Sequence, residues 1–391
     1  MQGVKKLNPR ARHCPICSNP SKKKGFTKQG RQRWYCKECK YSFTATDDRQ
    51  KHAQEFAEFL TYLTTTTPRR LGARDTRTWD RTHAWCWQTR PIWTPTGQVY
   101  DQVFIDGTYI AYNWCVLIAY TREGVIAYQL CDRESKAAYL ALLRRLPAPI
   151  VATTDGAPGA LAAIKQEWPT TRIQRCLVHV QRNIRQVTTT RPQTHAHKAL
   201  YKLALDLTKI TTREGAIAWQ NSLHAFHGLY DTWLAEKTYR EETRLENIPS
   251  FARKNKKWWY THHPTRRIVG ALDRYVKQGV LFTFLDPTLD VSTSLESTTN
   301  RLEGGVNAPL KEFLHSHRGW SQPHLLTALD YWLYSRSINT QPMSDFASNK
   351  VQTRKKPVSA PSDKPAQIDT HIDTEHPWED GLNIRKGQIG S

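Results

Sequence analysis

The chain has 391 residues, and its 57 Lys and Arg outnumber its 35 Asp and Glu, which gives a formal net charge of +22. That length allows two or three domains with at least one sizeable core, and the charge favours a polyanionic partner such as nucleic acid. The apolar runs are too short to span a bilayer, and the polar, basic first residues do not resemble a signal peptide. We therefore expect a cytoplasmic protein with no membrane partner and with its eight cysteines reduced.

Residues 1–45 are basic and contain two CxxC pairs, Cys14/Cys17 and Cys36/Cys39. Two tight turns of this kind bring four thiolates into the tetrahedron that structural Zn²⁺ prefers. Zinc would also replace the apolar core that so short and polar a segment lacks. A redox motif is the alternative, but two pairs without a thioredoxin-like context disfavour it. The sequence therefore predicts a zinc ribbon.

Basic side chains with interleaved aromatic residues surround these cysteines. A run of charge is usually a solvated face, but the density and the aromatic residues here favour contacts to DNA phosphates. The candidate DNA-binding residues are Lys22, Lys23, Lys24, Arg31, Arg33 and Lys37.

Residues 46–100 contain two helical patterns, over 50–65 and 76–88, separated by the turn-like sequence TTTPRRLGARD. The pair is compatible with a helix-turn-helix that offers Arg77 and Arg81 to a DNA groove. The tryptophans of the second pattern are expected to pack it against its neighbours. This segment is predicted to be a helical DNA-binding segment.

From residue 101 the pattern changes to closely spaced strands followed by helix–strand alternation, which predicts a mixed sheet covered by helices. The expected strands are 103–110, 114–120, 125–130, 150–154 and 171–176, with helices over 135–146 and 158–167. We expect one domain from residues 101–183 and 291–338, a mostly helical insertion over 184–290, and a flexible tail over 339–391.

Two acids stand at strand positions, and each is followed by glycine. Asp106 lies inside the first strand and Asp155 ends another. A buried carboxylate must be paired, cap an element or bind a metal, and Asp155 also fits a helix N-cap. Together they suggest an oxygen-lined Mg²⁺ site. Glu296 and Glu303 are both candidates for a third acid, since both fit a capping-box pattern. The Gly-Gly pair after Glu303 favours it slightly.

Four short motifs in a fixed order carry a resemblance to a known family: FIDGTY (104–109), TTDGAPGAL (153–161), RCLVHVQRN (175–183) and STTNRLEGGVN (297–307). They resemble the DDE transposases of bacterial insertion sequences, specifically the Mutator-type group, over roughly residues 100–340. The resemblance implies an RNase H-like α/β fold interrupted by a helical insertion. It also selects Glu303 over Glu296, and it implies that Asp106, Asp155 and Glu303 are catalytic and hold two Mg²⁺ or Mn²⁺ ions.

The resemblance further includes a Cys-x-x-His element, matched by Cys176 and His179. These two side chains either touch or brace the active site or simply pack beneath the sheet, and two ligands are too few for a second zinc site. Arg182 and Asn183 follow in the same motif and are candidate DNA contacts.

The function implied is Mg²⁺-dependent DNA strand cleavage and strand transfer by a two-metal mechanism. The expected partners are double-stranded transposon ends and target DNA, with a homodimer or larger assembly during reaction, in the nucleoid of a bacterial cytoplasm. Two alternatives remain open at this point: a zinc-ribbon DNA-binding protein with an inactive RNase H-like domain, and a structure-selective nuclease.

Overall fold

A computed structural model of the chain describes residues 12–14, 16–17, 19–44, 48–64, 76–252, 256–339 and 341–348. The first part is a small antiparallel sheet in which β1 (Lys22–Phe26) pairs with β2 (Gln32–Tyr35), and β2 pairs with β3 (Ser42–Thr44). Every side chain of β1 is exposed, whereas Trp34 and Phe43 are buried on the side of the cysteines. The sheet therefore has one solvated basic strand and one packed face.

Two helices follow, α1 (Asp48–Thr64) and α2 (Thr76–His83). The second is shorter than the predicted 76–88, because the chain turns after His83 and forms a 3₁₀ turn over Cys86–Gln88. Trp79 packs against Tyr62, with ring centroids 4.7 Å apart, so this tryptophan joins the two helices as expected. The predicted turn over 65–75 lies outside the described residues.

A five-stranded mixed sheet forms the centre of the protein, as the alternation of elements predicted. Its strands, with the two helices that connect them, are β4 (Gln102–Tyr109), β5 (Cys115–Tyr120), β6 (Val125–Cys131), α3 (Lys136–Leu143), β7 (Val151–Thr154), α4 (Pro158–Glu167) and β8 (Arg172–Arg175). The strand order is β6-β5-β4-β7-β8, in which β4, β5 and β6 are antiparallel and β7 and β8 run parallel to β4. Helix α3 begins after Ser135, whose side chain accepts a bond from Ala138 N, and it ends three residues before the predicted 146.

A run of helices follows: α5 (Leu177–Thr188), α6 (His195–Leu207), α7 (Arg213–Leu234) and α8 (His263–Gln278). The last three lie within the predicted insertion over 184–290, whereas α5 begins before it, so the predicted boundary falls inside a helix. A short hairpin between α7 and α8, β9 (Lys237–Tyr239) and β10 (Trp258–Tyr260), was not predicted. Its strands are only three residues long, too short to give an alternating pattern.

The chain returns to the sheet through α9 (Asn300–Leu302), a π-helical turn (Glu303–Asn307), α10 (Ala308–Ser316) and α11 (Gln322–Tyr334). Residues 341–348, from the start of the predicted tail, pack against α11 through the fully buried Phe346, whose ring lies 5.1 Å from that of Tyr334. The rest of that predicted tail lies outside the described residues. Among the described helices, none is long and apolar enough to cross a membrane.

The two faces of the central sheet belong to different apolar clusters. Val103 and Ile105 of β4 face α3 and α4, whereas Phe104 faces the other side, together with Val116 and Ile118 of β5. That second cluster is continuous through α10, α11 and α1 into the cysteine-bearing sheet. Because side chains alternate along a strand, Asp106 shares the face of Phe104.

Candidate active site

Asp106 and Asp155 lie side by side on neighbouring parallel strands. Ile105 of β4 pairs with Thr154 of β7, and Phe104 pairs with Thr153. Each aspartate is the next residue of its strand, so the two carboxylates extend from the same edge and the same face of the sheet. The two Asp-Gly motifs of the sequence, one inside β4 and one directly after β7, are thus brought side by side.

The Asp106 carboxylate is buried, with 9% of the residue exposed. Its Oδ2 accepts a hydrogen bond of 2.7 Å from Asn307 Nδ2. Burial, and next the nearby carboxylate of Asp155, raise the pKa of Asp106 well above its usual value, and the carboxylates of Glu134 and Glu303 act in the same direction. Such crowding of acids in a buried place favours a cation as the compensating group.

Asp155 also has a local structural role. Its Oδ1 accepts bonds from Ala157 N at 2.9 Å and from Thr154 Oγ1 at 3.2 Å. These bonds close the turn into α4, whose first residue is Pro158. Asp155 is therefore a turn residue rather than the N-cap of α4, which is Ala157. This turn also fixes the orientation of the carboxylate beside Asp106.

Glu303 reaches this region from the C-terminal part of the chain. Its Oε2 lies 2.9 Å from Arg182 Nη1, and its Oε1 accepts a bond of 3.2 Å from Thr299 Oγ1. Glu303 opens the π-helical turn that ends at Asn307, the residue that binds Asp106. Turns of this type are frequent at functional sites.

Glu296, the other candidate for a third acid, lies in a different environment. Its carboxylate is 2.8 Å from Arg301 Nη2 and 3.6 Å from Arg122 Nε. The helix begins after Thr299, without a side-chain cap bond, and no helix starts at Thr293. The capping-box patterns therefore do not describe this segment, and Glu296 is engaged by arginines away from Asp106.

Cys176 and His179 lie directly beside Glu303. The fully buried Cys176 sulfur accepts a bond of 3.2 Å from Thr299 N. It also shares the single hydroxyl proton of Thr299 with Glu303 Oε1, both acceptors being 3.2 Å from Thr299 Oγ1. His179 Nδ1 is 3.6 Å from Glu303 Oε1. One ligand atom from each of Cys176, His179 and Glu303 lies within 4.8 Å of the others. The structure thus adds a third potential ligand to the two that the sequence offered.

The same contacts shift the protonation of the cysteine and the histidine. Burial would raise the pKa of Cys176, but bonds from His179 and Thr299 outweigh it and lower that pKa. Burial would likewise lower the pKa of His179, but the Cys176 sulfur and the carboxylates of Asp106 and Asp155 raise it to about 9. Both shifts favour the charged forms, a thiolate at Cys176 and an imidazolium at His179.

Glu134 is a fourth acid of this cluster, and it was not among the predicted residues. It lies between β6 and α3, and its Oε2 accepts a bond of 2.9 Å from Tyr139 Oη. A Cβ on Gly107 would come within 2.6 Å of the Glu134 carboxyl group, so the glycine after Asp106 makes room for this acid. Burial, and then Asp155, raise the pKa of Glu134. Glu134, like Asp155, follows a strand, and that position was the signal by which the sequence could have indicated it as a site residue.

The glycine after Asp155 has a comparable reason. Gly156 has φ +89°, and a Cβ there would lie 1.4 Å from Arg175 Nη1. The Arg175 guanidinium is buried, where it donates to Gly156 O at 3.1 Å and to Tyr275 Oη at 3.2 Å. Each aspartate is therefore followed by glycine because another side chain lies against the backbone at that position: Glu134 at Gly107 and Arg175 at Gly156.

Replacing Gly156 by alanine is expected to lower the free energy of unfolding by about 3 kcal/mol or more, because strain at positive φ adds to a clash with an immobile buried guanidinium. Gly228→Ala is the matched control, since the middle of α7 has open space around Gly228, and there we expect a gain of about 0.5–1 kcal/mol. Urea unfolding of both variants measures the two effects. Equal stabilities would contradict the strain argument.

The four N-terminal cysteines form a second cluster. Their sulfur atoms all lie within 4.8 Å of one another, and those of Cys17 and Cys36 are 3.5 Å apart. Burial raises the pKa of Cys14 to about 11. A set of four close sulfurs, with Cys14 and Cys36 buried, is the donor set that structural zinc takes, so the residues present can hold this ion. All eight cysteines of the chain are free thiols.

The predicted DNA-binding residues occupy mainly exposed positions, with the exception of the half-buried Asn183. The basic residues of the cysteine-bearing sheet (Lys22, Lys23, Lys24, Arg31, Arg33 and Lys37) and the α2 pair (Arg77 and Arg81) are exposed. Arg182 has a partner within the protein, because its guanidinium binds Glu303. Contact of these residues with DNA stays a prediction.

Comparison with known proteins identifies the relatives of this chain. The family described as "Transposase, Mutator family" matches residues 83–278, which is half of the chain. This protein belongs to the Mutator family of transposases. The matched part of this Mutator-family protein includes Asp106, Asp155, Cys176 and His179, and it ends before Glu303.

Two curated relatives agree with this assignment. The chain is 33% identical over 101 residues to the transposase for insertion sequence element IS905 of Lactococcus lactis subsp. lactis (strain IL1403), and the match covers 22% of the chain and 26% of that relative. It is 37% identical over 97 residues to the transposase for insertion sequence element IST2 of Acidithiobacillus ferrooxidans, which covers 22% of the chain and 33% of that relative. The matches thus span a quarter to a third of these relatives.

Proposed function

We propose that this protein is the DDE transposase of an insertion sequence, with an RNase H-like catalytic domain that cleaves DNA strands at the element ends and joins them to a target. The observation that carries the proposal is the pair of adjacent carboxylates of Asp106 and Asp155, with Glu303 near enough to act on the charge of the buried Asp106. The strand order β6-β5-β4-β7-β8, with three antiparallel strands followed by two parallel ones, supports the RNase H-like assignment.

The residues present fit a pair of divalent cations. The buried Asp106 carboxylate is crowded by other acids, and the buried Oδ1 of Asn307 has no hydrogen-bond partner within the described residues. Carboxylate and amide oxygens are the donors that Mg²⁺ takes. We assign Asp106, Asp155 and Glu303 as the ligands of two Mg²⁺ or Mn²⁺ ions. When bound, the ions would activate the attacking oxygen and stabilise the leaving oxygen of phosphoryl transfer.

The other residues of the site hold these acids in place. Asn307 fixes the Asp106 carboxylate, the turn at Ala157 fixes Asp155, and Thr299 fixes Glu303. Arg182 balances the charge of Glu303, and its exposed guanidinium is close enough to the acids to contact a scissile phosphate as well. The expected nucleophiles are water in the cleavage step and a DNA 3′-hydroxyl in the joining step, so no covalent protein intermediate is required.

The rest of the chain supplies DNA binding in this proposal. Residues 1–45 form a zinc ribbon and 46–100 a helical DNA-binding segment, both directed to the terminal repeats. Residues 101–183 and 291–338 form the catalytic domain around the 184–290 insertion. Exposed basic side chains of the cysteine-bearing sheet would contact phosphates. Because two ends must be held together, we propose a homodimer or larger assembly during the reaction.

A strand-transfer assay tests the proposal. Linear DNA carrying the sequences that flank the gene is incubated with the protein, a target plasmid and Mg²⁺, and both cleaved ends and joined products are scored. We expect both products, and Asp106→Asn should remove both. Cleavage without joining would instead indicate a structure-selective nuclease. End binding without any cleavage would indicate a DNA-binding protein with an inactive catalytic domain.

Cys176 and His179 are proposed to be positioning residues for Glu303. Cys176→Ala removes the acceptor of both Thr299 bonds, so Glu303 loses its support, and we expect a loss of about 10–100-fold in cleavage rate with a higher Mg²⁺ requirement. The measurement is the Mg²⁺ concentration for half-maximal cleavage. Cys86→Ala, which removes a buried thiol elsewhere, should leave that concentration unchanged. A merely structural role for Cys176 would lower the yield of active protein without shifting the Mg²⁺ requirement.

A further inference from the structure

A cleft of about 990 Å³ opens between α7, α8 and the β9–β10 hairpin, within the helical insertion. Its volume is at the upper end of the range for small-ligand sites, about 300–1,000 Å³, and has room for a nucleotide with its phosphates. We call it the hairpin cleft. None of the four family-like motifs contributes to it.

The hairpin cleft carries an excess of positive charge. Its only acids among the described lining residues are Asp231 and Asp273, and both are bound by His227, at 2.7 Å through Nδ1 and 2.9 Å through Nε2. A single histidine thus bridges the two acids. The basic residues are Lys256, Lys257, Arg266, Arg267 and Arg274. A lining of this kind is suited to an anionic ligand.

Two large aromatic rings stand at the surface of the same cleft. Along β10, Trp259 points inward and is 7% exposed, whereas the neighbouring Trp258 is 38% exposed. Phe251 is 41% exposed. Burial of an apolar ring releases free energy that a partly exposed ring does not gain. Two such rings beside a basic cleft therefore indicate a site for a ligand that covers them.

Each of these rings is supported on one side by a polar partner. Phe251 stacks on the His263 ring, with centroids 4.3 Å apart, and Lys237 Nζ lies 4.2 Å from the centre of the Trp258 ring. Supported, partly exposed rings among basic residues are the arrangement by which proteins stack the bases of single-stranded nucleic acid. Duplex DNA offers phosphates to the basic residues, but its bases are already stacked on one another.

Helix α8 connects the hairpin cleft to the proposed catalytic edge. It contributes Arg266 and Arg274 to the cleft, and its Tyr275 binds Arg175, which in turn binds the backbone at Gly156 beside Asp155. The helix that lines the cleft is thus joined by hydrogen bonds to the backbone beside Asp155.

We propose that the hairpin cleft binds an unpaired nucleotide of the DNA substrate, with Trp258 and Phe251 stacking on the base and with Lys256, Lys257 and Arg266 contacting the adjacent phosphates. This inference rests on the proposed function, because strand cleavage and joining expose unpaired nucleotides at DNA ends. It adds a ligand class, single-stranded DNA, and a location for it.

The test is equilibrium binding of the full-length, zinc-loaded protein, without Mg²⁺, to a fluorescently labelled single-stranded oligothymidylate and to a blunt duplex of the same length. Trp258→Ala should weaken single-strand binding by about 5- to 100-fold and change duplex binding less than about twofold, since one stacked base is lost. Trp258→Phe, which keeps a ring, should retain most of the single-strand affinity. Leu229→Ala, an exposed apolar residue of α7 outside the cleft lining, is the matched control and should change neither.

Two results would overturn the inference: unchanged single-strand binding in Trp258→Ala, or an equal loss for both DNA forms, which would indicate a general basic surface. If Trp258→Ala does not fold by thermal melting, Phe251→Leu takes its place with the same expectation. The assay needs no catalysis, so it is separable from the proposed function. If the protein cleaves DNA normally but single-strand binding does not depend on the Trp258 ring, only the assignment of the cleft is refuted. If binding depends on the ring but no cleavage occurs, the transposase activity is refuted and the cleft remains a single-strand binding site.

Discussion

Glu303→Gln is expected to lower the rate of Mg²⁺-dependent strand cleavage by about 10³-fold or more, because the variant removes one charged ligand from a set that acts as a unit. The amide can still accept the bond from Thr299, so the fold of the π-helical turn should survive. What is lost is the negative charge that a hard divalent cation requires of its ligands. Cleavage of end-labelled DNA across a range of Mg²⁺ and Mn²⁺ concentrations is the measurement.

The chain contains a matched control for this substitution. Glu296 lies seven residues earlier in the same segment, and its carboxylate is bound by Arg301 and Arg122. Glu296→Gln makes the same chemical change and should leave the cleavage rate within a few-fold of the parent. An active Glu303→Gln combined with an inactive Glu296→Gln would reverse the assignment of the third acid.

Removing zinc is expected to have the second large effect. The cysteine-bearing sheet has a small core, and binding of structural zinc supplies about 10–16 kcal/mol in domains of this kind, so Cys36→Ser should unfold it. Cys36 is fully buried, and its sulfur lies 3.5 Å from that of Cys17. We expect the zinc content to fall from one ion per chain to none, and specific binding to the element ends to fall by about 10³-fold toward the non-specific level.

Cys86→Ala is the control for the zinc experiment as well, because Cys86 is a buried thiol outside the four-sulfur cluster. It should retain one zinc ion and full end binding. Two findings would count against the zinc ribbon: a Cys36→Ser protein that still holds its metal, or a metal-free protein that still distinguishes the element ends from other DNA. Metal analysis and competition binding give both answers on one sample.

Much of the central sheet was predictable because local sequence determines it. Runs of four to eight Val, Ile and Leu residues are typical of strands buried on both faces. The predicted helix over 158–167 has the same bounds as α4, and Pro158 fixes its first turn. The proximity of Asp106 and Asp155 also follows from local signals, since each Asp-Gly belongs to or directly follows a predicted strand, and the two strands are parallel neighbours.

Other parts of the site could not be predicted, because they depend on contacts between distant segments. Glu134 joins the cluster only because the segment between β6 and α3 brings its carboxyl group against Gly107, and Asn307 only because the π-helical turn directs it to Asp106. Similarly, the bonds from Thr299 to Cys176 join residues that are 123 positions apart. No periodicity records such contacts. The Gly-Gly pair favoured Glu303 over Glu296 only slightly, and the family resemblance was needed to select it.

The continuous apolar cluster that runs from the cysteine-bearing sheet through α1 into α11 bears on how this protein could be retargeted. Phe56 of α1 lies 6.0 Å from Tyr331 of α11, and Tyr62 accepts a bond of 2.8 Å from Trp320 Nε1. A hybrid made by exchanging the first 45 or 100 residues for those of a relative would therefore cut through one cooperative core. A functional exchange has to carry the facing residues of α11 along with the N-terminal segment. If that segment recognises the element ends, as we propose, a change of end specificity involves the C-terminal helix as well.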